Sequence, residues 1–480
     1  MELLFLLIPL LGIFALNLPG HRTAAKFAPW LLGAVCVIQA AMAATFGLQF
    51  WKPVSDALQR VVALPLTLDY ISATVLVVIA LVAAVTNAVG AKTGGAQRRV
   101  NARSVTLMLM IGMNGVVMVR DLFTLYIFLE ITAVSSFILI AIEKNLKALE
   151  GAFKYLILSG IATFAMLVAG ALIFMQTGSL QFADVARALQ SGGGLPIQLA
   201  LGLYVVAFCL KSGAAPFHGW LPDAYANAPD AVSVLLAGVV TKVAGIYGIL
   251  RLMRDIFAGL PAPGEAFMIL GAFSIAVGAF AAIRQTDMKR MLAFSSISQM
   301  GYIILAAGLV GLTGADGPAG MLAILGALLH FVNHALFKSL LFVDSAAVRE
   351  QTGTTDMERL GGLCERMKVT GWTSVVGFLS TAGIPPFSGF WSKLLIIMAL
   401  AAAGQWVFAA IAVFMSLVTL GYFLVMQQRV FFGKLRQGFE KLREARGTLR
   451  NTALVLAGLT TALGLLFPLA LVLLRNYGLI

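Results

Sequence analysis

Apolar runs of about 17–25 residues, separated by short polar joints, recur from one end of the chain to the other. In lipid, every backbone N–H and C=O must be satisfied within its own segment, so runs of that length predict spanning helices. Fourteen are predicted, near residues 2–18, 27–47, 70–90, 104–119, 121–142, 152–176, 197–220, 229–250, 266–283, 290–310, 320–343, 369–403, 405–427 and 452–474. The spans at 197–220 and 369–403 contain proline breaks. The fold class expected is an all-α polytopic membrane protein. Composition agrees: of 480 residues, 60% are hydrophobic and 11% charged, more apolar surface than a soluble domain can hide. The first run has Glu2 where a cleaved signal would carry a basic region, so it reads as a span.

The net charge of +13 first suggests a nucleic-acid partner, but its placement argues against one. Odd-numbered loops hold 23 of the 34 Lys and Arg residues and even-numbered loops only six. By the positive-inside rule the odd loops are cytoplasmic and both termini lie outside. The localisation expected is the inner (plasma) membrane of a bacterial or archaeal cell. The basic stretch KLREARGTLR (441–450) reads as a cytoplasmic loop, with anionic lipid or a neighbouring subunit as the alternative. Cys36, Cys209 and Cys364 are scattered and form no CxxC pair, so no iron–sulfur, haem or zinc framework is visible.

Four basic residues fit no loop or tail: Lys211, Lys242, Lys338 and Lys393 all fall inside spans. Glu130, in DLFTLYIFLEITAVSSFIL, is the one clear carboxylate deep in a span, the other acids being assigned to loops or span edges. A charge at membrane depth costs at least about 2.5–3.5 kcal/mol and by default marks function. Snorkelling to the headgroups is the alternative for a single lysine, and a poor explanation for all four beside a buried glutamate. His330, His334 and Lys338 recur every four residues and share one helical face. Two histidines at that spacing can share a zinc ion, but Phe331, Val332 and Asn333 between them lack the metalloprotease glutamate, and no third ligand is evident. A row of titratable groups on one face is better suited to a proton path, since neutral imidazole both accepts and donates.

AAPFHGW (214–220) echoes IPPFSGF (384–390), with Pro216 matching Pro386 and Gly219 matching Gly389. The seventh span thus repeats as the twelfth, and five spans, an odd number, reverse the orientation in the membrane. Paired broken helices of this kind point to an ion site in a transporter. The organisation expected is an N-terminal three-helix segment (1–103), two inverted five-helix repeats (104–250 and 266–427), and a basic loop with the last helix (428–480).

The blocks LFTLYIFLEI, KSGAAPFHGWLPDAYANAPDAVSVLLAGVVTKVAGIYGILR, AFSSISQMGYIIL, HALFKSLLF and GIPPFSGFWSK resemble the antiporter-like subunits of respiratory complex I, Mrp cation/proton antiporters and membrane-bound group 4 hydrogenases. The resemblance covers spans four to thirteen. It implies that Glu130 and Lys211 form an ion pair in a first half-channel and that Lys242 passes protons towards the centre. His330, His334 and Lys338 would continue the path, His334 and Lys338 matching the family pattern more firmly than His330. Lys393 would be the exit-side carrier, at a position where the family takes Lys or Glu. Asp223 and Asp230 read as structural or mouth residues. The implied function is proton translocation within a redox-driven complex, with a Mrp-type Na+/H+ antiporter without redox partners as the alternative and a non-conducting scaffold opposed by the intact residue set. The implied partners are other membrane subunits, with protons and in the antiporter case Na+ as cargo. No cofactor belongs to this chain, and iron–sulfur, flavin or nickel–iron centres would sit in hydrophilic partner subunits.

Overall fold

The structure, a computed structural model, describes residues 1–18, 20–47, 65–90, 95–190 and 194–476. The loop cations Lys52, Arg60 and Lys92 lie outside the described residues. Helices follow the apolar runs closely, because main-chain groups in an apolar stretch find partners only within the segment. They are α1 (Leu4–Asn17), α2 (His21–Ala44), α3 (Tyr70–Val89), α4 (Ala96–Met118), α5 (Leu122–Ile140), α6 (Leu146–Thr177), α7 (Leu195–Ser212) and α8 (Asp230–Asp255). Then come α9 (Pro261–Ile283), α10 (Met288–Thr313), α11 (Pro318–Thr352), α12 (Lys368–Ala382), α13 (Ser388–Ala402), α14 (Trp406–Gln427) and α15 (Gly447–Asn476). Among the described residues, twelve helices are long and apolar enough to cross a membrane, with α1 and α13 as shorter apolar helices.

Polar residues at the joints set the helix starts. Asp69, Asp121, Asn145 and Asp287 each accept a hydrogen bond from a first-turn backbone N–H, capping α3, α5, α6 and α10. At the other end, Gly178, Gly213, Gly353 and Gly383 take positive φ values of 66–83° and stop α6, α7, α11 and α12. One boundary differs from expectation. α11 continues to Thr352, past the expected end at 343, because Asp344, Ser345 and the small residues after them stay buried against neighbouring helices.

The chain divides into two compact units, residues 1–213 with 217–258, and residues 259–480 with 214–216. In the first unit α8 is wholly buried; in the second, α10 is almost so, while only about a third of α14 and of α15 is buried. Glycines let α9 and α10 approach closely. A β-carbon on Gly271 would stand 2.6 Å from the Leu305 amide nitrogen, a close approach of the small-residue kind that membrane helices use.

The loop assignment of three cations also needs revising. Arg103, Arg251 and Lys289 are buried. Arg251 holds Asp69 with two contacts, Nη2 to Oδ1 at 2.9 Å and Nη1 to Oδ2 at 2.8 Å, and Arg120 adds a third at 3.3 Å. This cluster joins the start of α3, the end of α8 and the α4–α5 joint. Burial opposes ionisation of Asp69, but the Arg251 hydrogen bond and charge outweigh it, with help from the Ser72 amide and Arg120, and hold the carboxyl well below its usual range. A depressed carboxyl stabilises the fold above its unfolded value of about 3.9 and loses that contribution as pH falls towards its folded value. Asp69→Asn should therefore lower thermal stability at neutral pH, and its deficit against wild type, followed in detergent melts, should narrow as pH drops below about 4.

Candidate functional site

In the first unit, Lys211 occupies the last turn of α7. Gly213 (φ 66°) ends the helix and returns its N–H to the Cys209 and Leu210 carbonyls, while the Trp220 indole donates to Leu210 at 3.0 Å. Trp220 stacks on Tyr155 of α6 with centroids 4.3 Å apart, which fixes the chain as it leaves the break. The C-terminal end of a half-helix carries partial negative charge and favours a cation there. Lys211 is buried, and its Nζ donates to Ser159 Oγ of α6 at 3.2 Å.

Glu130, on α5, lies within electrostatic range of Lys211 but makes no direct salt bridge with it. The expected ion pair is a coupled pair with an intervening gap, and Ser159 takes the contact position. Glu130 is half-buried and lines an open cavity of about 590 Å³ with Ser104, Met108, Tyr126 and Ser135. Its Oε1 is buried with no hydrogen-bond partner among the described residues.

Lys242 is wholly buried on α8 and its Nζ also lacks a hydrogen-bond partner among the described residues. Its helix is not regular there. Two π-helical stretches, Leu236–Val240 and Lys242–Tyr247, flank Thr241, widening the helix at the lysine. Tyr225 OH bridges the first stretch, donating to the Leu236 carbonyl at 3.0 Å and meeting Thr241 Oγ1 at 2.6 Å. Gly245 lets α8 lie directly against the α7 terminus, where a β-carbon would overlap the Ser212 backbone.

In the second unit, His330, His334 and Lys338 line α11 and are all fully buried. His330 Nδ1 meets Ser392 Oγ of α13 at 2.9 Å, and its ring lies 6.4 Å from that of His334. Lys338 Nζ donates to Ser295 Oγ at 2.7 Å and to the Leu292 carbonyl at 3.2 Å, both on α10, and Tyr422 OH donates to the same Ser295 at 2.8 Å. Lys393 turns back from α13 onto the open end of α12, where its Nζ donates to the carbonyls of Thr381 at 2.9 Å and Ala382 at 3.3 Å. It also sits 4.7 Å above the Tyr302 ring, and Tyr302 lies 5.8 Å from His330. Both matched prolines, Pro216 and Pro386, follow cis peptide bonds.

In the first unit Glu130 lies within electrostatic range of Lys211, and Lys242 lies on α8, which packs on the α7 terminus at Gly245; in the second, His330, His334 and Lys338 line α11, and Lys393 and His330 both flank Tyr302. Asp223 holds Lys154 at 2.6 Å and Asp230 opens α8, as structural or mouth residues would. No group of three or more His, Cys, Asp or Glu among the described residues is placed to hold a metal. Sequence reasoning missed the hydroxyl partners Ser159, Ser295 and Ser392, because serine is common in membrane helices and carries no periodic signal. It also missed Asp344, a carboxylate that is fully buried on the continuation of α11 past residue 343.

A many-span helical chain with titratable groups at helix breaks has the build of an ion-translocating membrane protein. The family model described as NADH:quinone oxidoreductase/Mrp antiporter, TM, matches residues 119–419, and the chain belongs to that family. It is 32% identical over 360 residues to a Na(+)/H(+) antiporter subunit of Alkalihalophilus pseudofirmus, covering 74% of this chain and 71% of that protein. It is 35% identical over 335 residues to NADH-quinone oxidoreductase subunit N of Desulforudis audaxviator, covering 69% of this chain and 65% of that protein. Among solved structures, a chain of the Mrp complex from Dietzia sp. DQ12-45-1b superposes with a TM-score of 0.86 at 26% identity, covering 98% of this chain and 95% of that one. The chain is an antiporter-like membrane subunit of the type found in complex I, hydrogenase and Mrp complexes.

The π-helical stretch at Lys242 and the end of α7 depend on Gly245. Gly245→Ala should force α8 off Ser212 and shift both lysines, cutting proton transport by about a hundredfold, the scale expected of a displacement near 1 Å, with assembly retained. Transport in vesicles and co-purification of the neighbouring subunits measure the two effects separately.

Proposed function

We propose that this chain is the proton-translocating subunit of a redox-driven membrane complex of the complex I or membrane-bound hydrogenase type. The observation that carries the reading is a set of titratable groups inside the spans: half-buried Glu130 with buried Lys211 and Lys242 in one unit, and buried His330, His334, Lys338 and Lys393 in the other, with Lys211 and Lys393 at the two helix breaks. Purely structural polar groups would be expected to be fully satisfied, whereas Lys242 Nζ and Glu130 Oε1 are buried without a hydrogen-bond partner among the described residues. The second reading is a Mrp-type Na+/H+ antiporter subunit, favoured by the similarity to the Alkalihalophilus pseudofirmus antiporter and to the Mrp complex.

The mechanism is electrostatic. Ionised Glu130 favours the charged form of Lys211, and moving that carboxylate away favours proton release. At an effective dielectric of about 20, unit charges roughly 4–8 Å apart couple by about 2–4 kcal/mol, one and a half to three decades in a protonation equilibrium. Ser159 keeps the Lys211 amine in place when its charge partner retreats. Lys242, with no competing hydrogen bond, then receives the proton through water. His330, His334 and Lys338 follow as acceptors and donors on one face, and Lys393 holds the proton against the open carbonyls of α12 before release. In the redox reading, iron–sulfur, flavin or nickel–iron centres belong to partner subunits and supply the driving signal. The positive-inside distribution supports cytoplasmic basic loops with both termini on the other side, in the plasma membrane of a bacterial or archaeal cell.

Lys211→Ala and Glu130→Ala should each abolish most proton uptake in vesicles while the complex still assembles; near-normal uptake with either change contradicts the pathway. Subunits that co-purify decide the engine. Hydrophilic iron–sulfur subunits support the redox reading, and small membrane subunits alone support the antiporter.

A further inference from the structure

The pathway above does not use Asp344. α11 carries it six residues beyond Lys338, about 9 Å further along the axis at 1.5 Å per residue. No part of it reaches the surface. Its Oδ1 accepts from Thr373 Oγ1 of α12 at 2.8 Å, while Oδ2 is buried with no hydrogen-bond partner among the described residues. A clasp between α11 and α12 needs only one oxygen, which an asparagine would supply equally well. The open second oxygen of a fully buried carboxyl is what a structural role leaves unexplained.

Polar groups lead from Asp344 to the loop that follows α14. The Thr373 hydroxyl also lies 3.1 Å from the Thr370 carbonyl, Thr370 Oγ1 donates to Glu444 Oε1 at 2.6 Å, and the Val369 amide donates to Glu444 Oε2 at 2.7 Å. Glu444 is half-buried and lies within electrostatic range of Asp344. It sits in the basic segment 441–450, at the end of the bundle that the charge distribution assigns to the cytoplasm. In the other direction, the hydroxyls of Ser345 and Ser339 are buried and without hydrogen-bond partners among the described residues. Ser345 stands seven residues from Lys338 and so on the same helical face.

We propose that Glu444 and Asp344 form a proton inlet to Lys338, linking the basic-loop end of the second unit to its buried lysine. The inference rests on the reading of Lys338 as a proton carrier. Glu444 takes a proton from bulk water and yields it to water beside the threonine hydroxyls. Asp344 Oδ2 gains that proton as a new O–H bond. The bond breaks when the neutral Lys338 amine gains an N–H through water at Ser345, which returns Asp344 to its carboxylate.

The test uses the intact complex in vesicles, with proton uptake followed by an internal pH-sensitive dye. Asp344→Asn is nearly isosteric and keeps the Thr373 contact. It should slow uptake by about a hundredfold, the lower end of what a positioned proton donor contributes. Asp344→Glu, or azide added to Asp344→Asn as a mobile weak acid, should restore uptake. Glu444→Gln leaves α11 untouched and should slow uptake in the same way, with the same recovery in azide. Wild-type uptake by Asp344→Asn, or a loss that neither azide nor Asp344→Glu reverses, overturns the inlet. Lys338→Ala separates the two claims. If it is inactive while Asp344→Asn is normal, only the inlet fails; if it transports normally, the underlying pathway fails.

Discussion

An ammonium group and an open helix end are each costly in an apolar interior, and this fold places them together. A proline break strips carbonyls of their intrahelical partners, and in lipid those carbonyls must find others. Lys393 supplies the donors directly, reaching back from α13 to Thr381 and Ala382 at the end of α12. Lys211 meets the same constraint from within its own helix, where Gly213 and Trp220 satisfy the last carbonyls and the lysine rides on the negative end of the half-helix. Break and charge are one device in both units.

The buried lysines are held to different degrees, and that graded holding gives the row its use. Lys393 and Lys338 each donate at least two hydrogen bonds, Lys211 donates one to Ser159, and Lys242 Nζ has no hydrogen-bond partner among the described residues. A proton carrier must hold its proton well enough to collect it and loosely enough to let it go. Glu130, set back from Lys211 behind the Ser159 contact and beside an open cavity, can modulate the lysine without locking it into a permanent salt bridge. The π-helical widening at Lys242 serves the same end, since a strict α-helix would leave less room beside its side chain.

Much of this was legible in the sequence, because in a bilayer length and polarity carry most of the information. Apolar runs predicted the spans, and subtracting loop cations isolated Lys211, Lys242, Lys338 and Lys393. The echo of Pro216 at Pro386 located the second break. What escaped depends on contacts distant along the chain. Arg251 looked like a loop cation until Asp69, 182 residues away, appeared as its partner. Ser159 and Ser295 carry no pattern that separates them from other serines. The close approach of α8 to the α7 terminus at Gly245, within the second π-helical stretch, is a tertiary feature that no local propensity encodes. Asp344 was assigned to a span edge because the expected end of α11 fell at residue 343, just before it.

The central claim is that these lysines release protons and do more than neutralise open carbonyls. Lys393→Arg separates the two roles, because a guanidinium keeps the charge and the donors for Thr381 and Ala382 but does not deprotonate in a protein. In the intact complex reconstituted into vesicles, Lys393→Arg should assemble normally and lose nearly all proton uptake. Uptake at the wild-type rate would show that a fixed charge suffices at this position and would contradict the claim.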